Sequence, residues 1–291
     1  MAKRNKKNLI YQVKLGNSPL YDWCTESVRE YADKIGVAYI QLNEPILKIQ
    51  PNWNKSYRSK ESCSRFGCLP ILEKQNAFDH FDTYEKIAII DADILVRDVN
   101  TTPNLFDEID ETDEIDETDE SVIDFAGVLE HTLPITDKYR QKIRSYSIGQ
   151  YSSLINSDHE LRSVWNYSIH YGFSFWNMGM MLLNRTFRDY FISDPSSSFS
   201  GRHFWNREDL KQFIDAYPNK SLKWSSDQSA LNYIIRKKQM NTKNLDWRWN
   251  TLYKAVDDEK IPEAHFVHFF LKDLLPDGGS NIKELKKVIG Q

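Results

Sequence analysis

Two carboxylates stand one residue apart at the end of a long apolar run, Ile87-Ala88-Ile89-Ile90-Asp91-Ala92-Asp93-Ile94-Leu95-Val96. A run this apolar predicts a strand buried on both faces, where a charge is tolerated only near the end, at the edge of the core or beside a cation. In an extended chain residues i and i+2 share a face, so Asp91 and Asp93 address one point wherever strand geometry persists. Oxygen donors of this kind suit Mg2+, Mn2+ or Ca2+ better than zinc. The plainer alternative is a pair of acids that cap a strand and open a turn.

Three further clusters lie in the second half. In Phe173-Ser174-Phe175-Trp176-Asn177-Met178-Gly179, a polar Asn and a Gly stand immediately before an apolar strand. A glycine there lets backbone approach a ligand, or simply marks a turn. Over Trp224 to Ile235 the spacing predicts a helix capped by Ser225 or Ser226, with Asp227 and Gln228 in its first turn. In Ala264-His265-Phe266-Val267-His268-Phe269, two histidines at i and i+3 face opposite sides of a short strand, so only one of them reaches a shared metal site. A histidine in an aromatic strand is otherwise a packed core residue.

The elements that position these groups follow a strand, helix, strand pattern. Leu9 to Val13 reads as a first strand, Leu20 to Ile35 as a helix through Tyr21, Cys24, Val28 and Tyr31, and Val37 to Leu42 as a second strand. This order implies a right-handed crossover in a mainly parallel sheet. Residues 68–81 are again helical in period and lead into the strand that carries Asp91. In such α/β sheets ligands bind at the carboxyl ends of the strands, which is where Asp91 and Asp93 fall.

Composition sets outer limits. The 291 residues are 40% hydrophobic and 13% aromatic, enough for a sizeable core in one large or two small domains. Net charge is -4, with no basic excess to suggest a nucleic-acid partner. No apolar run approaches the ~20 residues that span a bilayer, and the basic start followed by a short apolar segment is neither a signal peptide nor an anchor. Cys24, Cys63 and Cys68 cannot all pair within one chain, which favours a reducing, cytoplasmic setting. The hexapeptide Asp-Glu-Ile-Asp-Glu-Thr occurs twice in succession between residues 107 and 118. Its mutually repelling acids lack the glycine and ligand spacing of a calcium loop, so a solvated, mobile loop near the cleft is expected.

The order of these motifs resembles the metal-dependent glycosyltransferases of the GT-A fold, and most of all glycosyltransferase family 8, the glycogenin and galactosyltransferase group. The resemblance runs over residues 9 to 272: Asp-x-Asp after an apolar strand, Asn-x-Gly beside another, Asp-Gln opening a helix, Trp249-Asn250, and a late strand with His and Lys. It implies an α/β, mainly parallel central sheet flanked by helices, as one domain whose residues 9–130 bind the nucleotide sugar and whose residues 131–291 carry the acceptor side and the last metal ligand. It implies transfer of a sugar, with retention, from a UDP-sugar to an acceptor hydroxyl on a glycan, protein or lipid, with Mn2+ or Mg2+.

Residue by residue, Asp91, Asp93 and His268 match the family's metal ligands, and Ala92 lies between the two acids. His268 fits the pattern better than His265. Lys272 resembles the phosphate-binding Lys, at a shorter spacing and without the family's Gly. Lys74 resembles the basic donor contact, with Arg65 as a competing candidate. Asn177 and Gly179 resemble the sugar-contacting pair, Asp227 and Gln228 the acid and amide beside the anomeric carbon, and Tyr11, Gln12, Val13 and Tyr21 the cradle of the base. Tyr151, Trp165, Tyr167, His170, Tyr171 and Trp205 supply rings that could stack on sugars, half of them core.

Two other readings use the same residues. A haloacid dehalogenase-type phosphatase also sets Asp-x-Asp at a strand end and uses the first Asp as nucleophile, although Leu95 stands where that family has Thr or Val. A sugar- or nucleotide-binding protein of the same fold that has lost turnover is the other. Sequence leaves the oligomeric state open.

Overall fold

Strand β1 (Asn8–Val13), helix α1 (Pro19–Ile35) and strand β2 (Ala38–Leu42) form within two residues of the predicted bounds. Pro19 occupies the first turn of α1, and Gly36 ends it in a left-handed conformation (φ 73°), returning its N–H to the carbonyls of Ala32 and Asp33. Leu20, Cys24, Val28 and Tyr31 form the buried face of α1, and β1 runs parallel to β2. The computed structural model describes residues 7–50, 57–110, 122–192, 200, 201, 204, 213, 215 and 226–291.

Beyond β2 the described elements are α2 (Tyr57–Phe66), a run of 3₁₀ turns (Pro70–Asp82), β3 (Lys86–Asp91), β4 (Ile94–Val96), β5 (Phe125–Leu129), α3 (Asp137–Ser157), α4 (His159–Val164), β6 (Tyr167–Ser168), β7 (Gly172–Phe173), β8 (Trp176–Asn184) and α5 (Thr186–Asp189). They end with α6 (Ser226–Lys237), β9 (Thr242–Asn244), β10 (Thr251–Leu252), β11 (Phe266–His268) and α7 (Ile282–Ile289). Among the described residues the central sheet has the order β2-β1-β3-β8-β5-β9. Every strand in it points the same way except β8, which pairs antiparallel with both β3 and β5. The α/β class read from the sequence is the one observed, as a mixed sheet flanked by helices.

The predicted strand over 87–96 divides. β3 ends at Asp91, Ala92 and Asp93 turn, and β4 leaves to pair antiparallel with β11, His268 opposite Ile94, in a small sheet ordered β10-β11-β4. Apolarity continues across the break because both halves are buried, each in a different sheet. Asp91 and Asp93 therefore do not share the face of one strand.

Asn177 and Gly179 likewise do not precede a strand but lie inside β8, where the pairing with β5 jumps from Gly127 opposite Met181 to Val128 opposite Asn177, leaving Met178 to Met180 outside that ladder. Residues 70–82, helical in period, wind as 3₁₀ turns, and four consecutive polar residues within them, Glu73 to Asn76, are all buried. Glu73 accepts the N–H groups of Ile46, Leu47 and Lys48, and Asn76 donates to the Tyr11 hydroxyl.

The start of the acidic repeat is anchored rather than a free loop. Ile109 is buried, Glu108 accepts from Trp249 Nε1 at 3.0 Å, and Asp110 pairs with Lys86. An isoleucine between acids gives the segment a hydrophobic foothold, and nearby cations meet its charge. Residues 111–121 lie outside the described residues, as do Trp205, Trp224 and Ser225. Of the rings expected to meet sugars, Tyr151 and Trp165 pack together in the core with centroids 4.7 Å apart, while Tyr167 is 52% exposed on the β6–β7 hairpin.

Candidate active site

The carboxyl end of β3, the turn after it, the inner edge of β8, the first turn of α6 and the end of β11 meet at one place. Asp91, Asp93 and His268 each turn a ligand atom toward it, all within 4.8 Å of one another. His268 Nε2 lies 3.4 Å from Asp93 Oδ1 and 4.0 Å from Asp91 Oδ2. The convergence comes from the turn at Ala92–Asp93, which folds the second carboxylate back toward β11, where the Phe269 N–H donates to the Asp93 carbonyl at 2.9 Å. His265 faces the other way, with its ring on Trp249.

Two lysines balance the acids. Lys74 Nζ lies 2.6 Å from Asp91 Oδ1 and 3.2 Å from Asp227 Oδ2, and donates to the Met178 carbonyl at 3.1 Å. Lys272 Nζ lies 3.2 Å from Asp93 Oδ2, donates to the Tyr21 hydroxyl, and sits 4.5 Å from the centre of the Tyr21 ring. Three carboxylates thus face two ammonium groups, leaving a formal excess of one negative charge before any cation binds.

The two converging carboxylates are driven apart in acidity. Burial raises Asp91, and the neighbouring Asp93 charge adds to this against the pull of Lys74 and His268. Burial also acts on Asp93, but Lys272 and His268 outweigh it and hold that carboxyl well below the usual range. Burial would lower both lysines; Asp91 and Asp227 hold Lys74 above its ordinary value, and Asp93 and Tyr21 do so for Lys272. A hard divalent ion such as Mn2+ or Mg2+ fits this set: two carboxylates and one imidazole converge on a point that carries spare negative charge.

No family model matches the sequence, and no curated protein matches it. Among solved structures the chain is similar to a glycosyltransferase involved in the glycosylation of the major capsid of PBCV-1, at 13% identity, with 95% of this chain and 98% of that one covered and a TM-score of 0.51. Looser likenesses are to mouse xyloside xylosyltransferase 1 (12% identity, 92% and 99% covered, TM-score 0.48) and to the mannosyltransferase Ktr4p of S. cerevisiae in complex with GDP (8%, 82% and 67%, 0.36). The chain shares the fold of the capsid glycosyltransferase.

Other predicted residues fall around the centre in different ways. Asp227 is buried against Lys74. Gln228 Oε1 accepts the Met178 N–H at 3.2 Å, and its amide nitrogen donates to the Tyr146 hydroxyl at 3.4 Å. Tyr11 and Gln12 are fully buried; Gln12 spans from the Asp91 carbonyl (3.1 Å) to the Tyr39 hydroxyl (2.8 Å) and so ties the ends of β1, β2 and β3 together. Val13 and Tyr21 are half-buried and Ala92 is buried. Arg65 is exposed and lies by the β1–α1 loop: a Cβ on Gly16 (φ 83°) would lie 3.4 Å from its guanidinium. It is Lys74 that reaches Asp91.

Gly179 makes its close approach to protein. A Cβ there would meet Cε1 of His268 at 2.4 Å and Oδ1 of Asn177 at 2.9 Å. Asn250 Oδ1 lies 3.0 Å from His268 Nδ1, and Asn250 Nδ2 donates to Asn177 Oδ1 at 2.9 Å. Sequence reasoning missed Glu130, buried and accepting the Tyr139 hydroxyl at 3.0 Å. Its signal was present: an acid directly after the apolar strand Phe125–Leu129, the pattern that marked Asp91.

Proposed function

We propose that this chain is a metal-dependent glycosyltransferase of the GT-A type, moving a sugar from a nucleoside-diphosphate sugar, UDP in the family it resembles, to an acceptor hydroxyl with retention. The observation that carries this reading is the meeting of Asp91, Asp93 and His268 with Lys74 and Lys272 at the carboxyl end of β3, in a fold shared with a glycosyltransferase.

Asp91, Asp93 and His268 would hold Mn2+ or Mg2+, which when bound supplies positive charge against a departing diphosphate. Lys74 and Lys272 place two more positive charges at the same carboxylates, where negative charge accumulates as the glycosidic bond breaks. Asp227, fixed by Lys74, and Gln228, fixed by Met178 and Tyr146, stand ready on the sugar side, a carboxylate and an amide beside an oxocarbenium-like centre. In the reaction the bond from the anomeric carbon to the diphosphate oxygen breaks, the acceptor oxygen bonds to that carbon on the same face, and its proton passes to the departing phosphate. The halves 9–130 and 131–291 then serve donor and acceptor, the exposed Tyr167 being one ring on the acceptor side.

A thermal-shift screen with UDP, GDP, CDP and their sugars, each with and without Mn2+, tests the reading. Stabilisation by one nucleotide only with metal, about 2.7 kcal/mol at a ligand concentration near 100 Kd, supports it and names the donor class. No shift with any nucleotide, together with phosphatase activity lost in D91N, would replace it with the phosphatase reading.

A further inference from the structure

Lys272 reaches the centre on a backbone and a side chain that are both held from outside its own strand. It stands four positions after His268 and opens the 3₁₀ turn Lys272–Leu274, where its carbonyl accepts the Leu275 N–H at 3.0 Å. Leu20 and Leu275 are buried, and a Cβ on Gly279 (φ 90°) would lie 3.0 Å from the Leu20 side chain and 3.2 Å from that of Leu275, so this segment is packed onto the first turn of α1. The next residue of that turn is Tyr21, whose carbonyl accepts from the Thr25 hydroxyl at 2.7 Å. Its own hydroxyl accepts from the Lys272 ammonium, and the centre of its ring lies 4.5 Å from Nζ, so one side chain offers the cation both a lone pair and a π face. A second N–H meets Asp93 Oδ2 at 3.2 Å. An ammonium has three N–H groups, and the third finds no acceptor among the described residues, on a side chain that is 39% exposed.

We infer that Tyr21 is a positioning residue: its hydroxyl and ring seat the Lys272 ammonium beside Asp93 and leave one N–H for the diphosphate of the donor. The inference rests on the transferase reading for the identity of that anion. A lysine carries its charge on a flexible four-carbon stem, and ordering the stem only when a ligand arrives costs affinity. Tyr21 orders it beforehand. Because Asp93 would also be a ligand of the divalent ion, the tyrosine is the anchor that Lys272 does not share with the metal. A tyrosine that cradles the base makes a different forecast, since its loss would be felt by any ligand with a base and not by a bare diphosphate.

The test uses the full chain and inorganic pyrophosphate with Mn2+, a probe that has neither base nor sugar. Calorimetry should show Y21F binding it roughly 10-fold more weakly than the wild type, the loss of one hydrogen bond to a charged group, and Y21L more weakly still, having lost the ring as well. K272M should weaken binding at least as much, and Y21F placed in K272M should weaken it no further, because the tyrosine acts through the lysine. Lys272 also gives a signature that needs no ligand: its ¹³Cε–¹Hε NMR signal, assigned by its loss in K272M, should carry an upfield ring shift that persists in Y21F and disappears in Y21L. Equal pyrophosphate affinity in folded Y21F and wild type, the same loss from Y21F with and without Lys272, or a Lys272 signal with no ring shift would each overturn the inference. A ring-shifted Lys272 in a wild type that binds no pyrophosphate with Mn2+ would defeat the transferase reading and leave the seat standing; Mn2+-dependent pyrophosphate binding that Y21L does not change would do the reverse.

Discussion

Gly179 lies so close beneath the imidazole of His268 that a β-carbon on it would fall 2.4 Å from Cε1 and 2.7 Å from Nδ1. Both contacts are shorter than side chains tolerate, and the ring is boxed in by Asn250 and Phe270 as well. Gly179→Ala is therefore expected to displace His268 and abolish Mn2+ affinity, with a stability loss of about 1–3 kcal/mol from overpacking. Calorimetry with Mn2+ and urea denaturation of the same variant check the two halves of this expectation; normal metal affinity would show that the ring has room to move.

Asp91 and Asp93 sit close together and repel each other, while Lys74 keeps Asp227 if Asp91 is neutralised. D91N and D93N should each remove the metal-dependent thermal shift with nucleotide and leave the apo protein folded. Retention of a Mn2+-dependent shift in both variants would defeat the metal assignment.

Lys74 is different, because it is the common partner of two carboxylates in a buried position. K74M should cost about 3–5 kcal/mol in urea denaturation, since breaking a buried pair leaves uncompensated charge. D227N in the same chain should recover part of that loss. A K74M protein as stable as the wild type would mean that water reaches the site freely.

Glu130 supplies a pH signature. Burial pushes its carboxyl up from 4.5 to about 7, against the pull of the hydrogen bond from Tyr139. The folded state therefore holds a proton that the unfolded chain releases above its own lower value, so stability falls as pH rises through this window. Relative to E130Q, the wild type should lose up to about 3 kcal/mol between pH 4.5 and pH 8 and change no further above it. Paired melting curves across that range read the difference, and parallel curves would refute it.

The duplicated hexapeptide gives a deletion variant. Deleting either copy yields the same sequence, which still contains the residues of the anchored segment at Glu108 and Ile109. Loop closure changes slowly with length, so the melting temperature should shift little. By contrast, Ile109→Asp should cost about 2 kcal/mol or more by placing a charge in the core.

Much of the frame was legible because local signals there agree. The β1, α1, β2 unit shows period-3.6 and apolar runs bounded by Pro19 and Gly36, and Asp91 stood out as a charge ending a buried strand. The pairing of Asp91 with Asp93 was expected for a reason that does not hold: strand alternation fails at Ala92, and a turn does the work. The antiparallel β8 was not legible, since an apolar strand buried on both faces reads alike in either direction. Nor was the role of Gly179 against His268, because the reason for that glycine is a side chain from the far end of the chain. The burial of Tyr11 and Gln12 was equally hidden, as it depends on neighbours brought by β2 and by the turns after Pro70.

The chelating atoms have a consequence for how the molecule is made. Asp91 and His268 stand 177 positions apart, one at the end of the central sheet and the other in the small sheet beside it. A chain leaving the ribosome from its N-terminus cannot close this ring of ligands until residue 268 has been synthesised. Ion capture there would be a non-local event, slow in the manner of long-range contacts. A cation bound there would act as a clasp between the two sheets, and its affinity would report that both are in place.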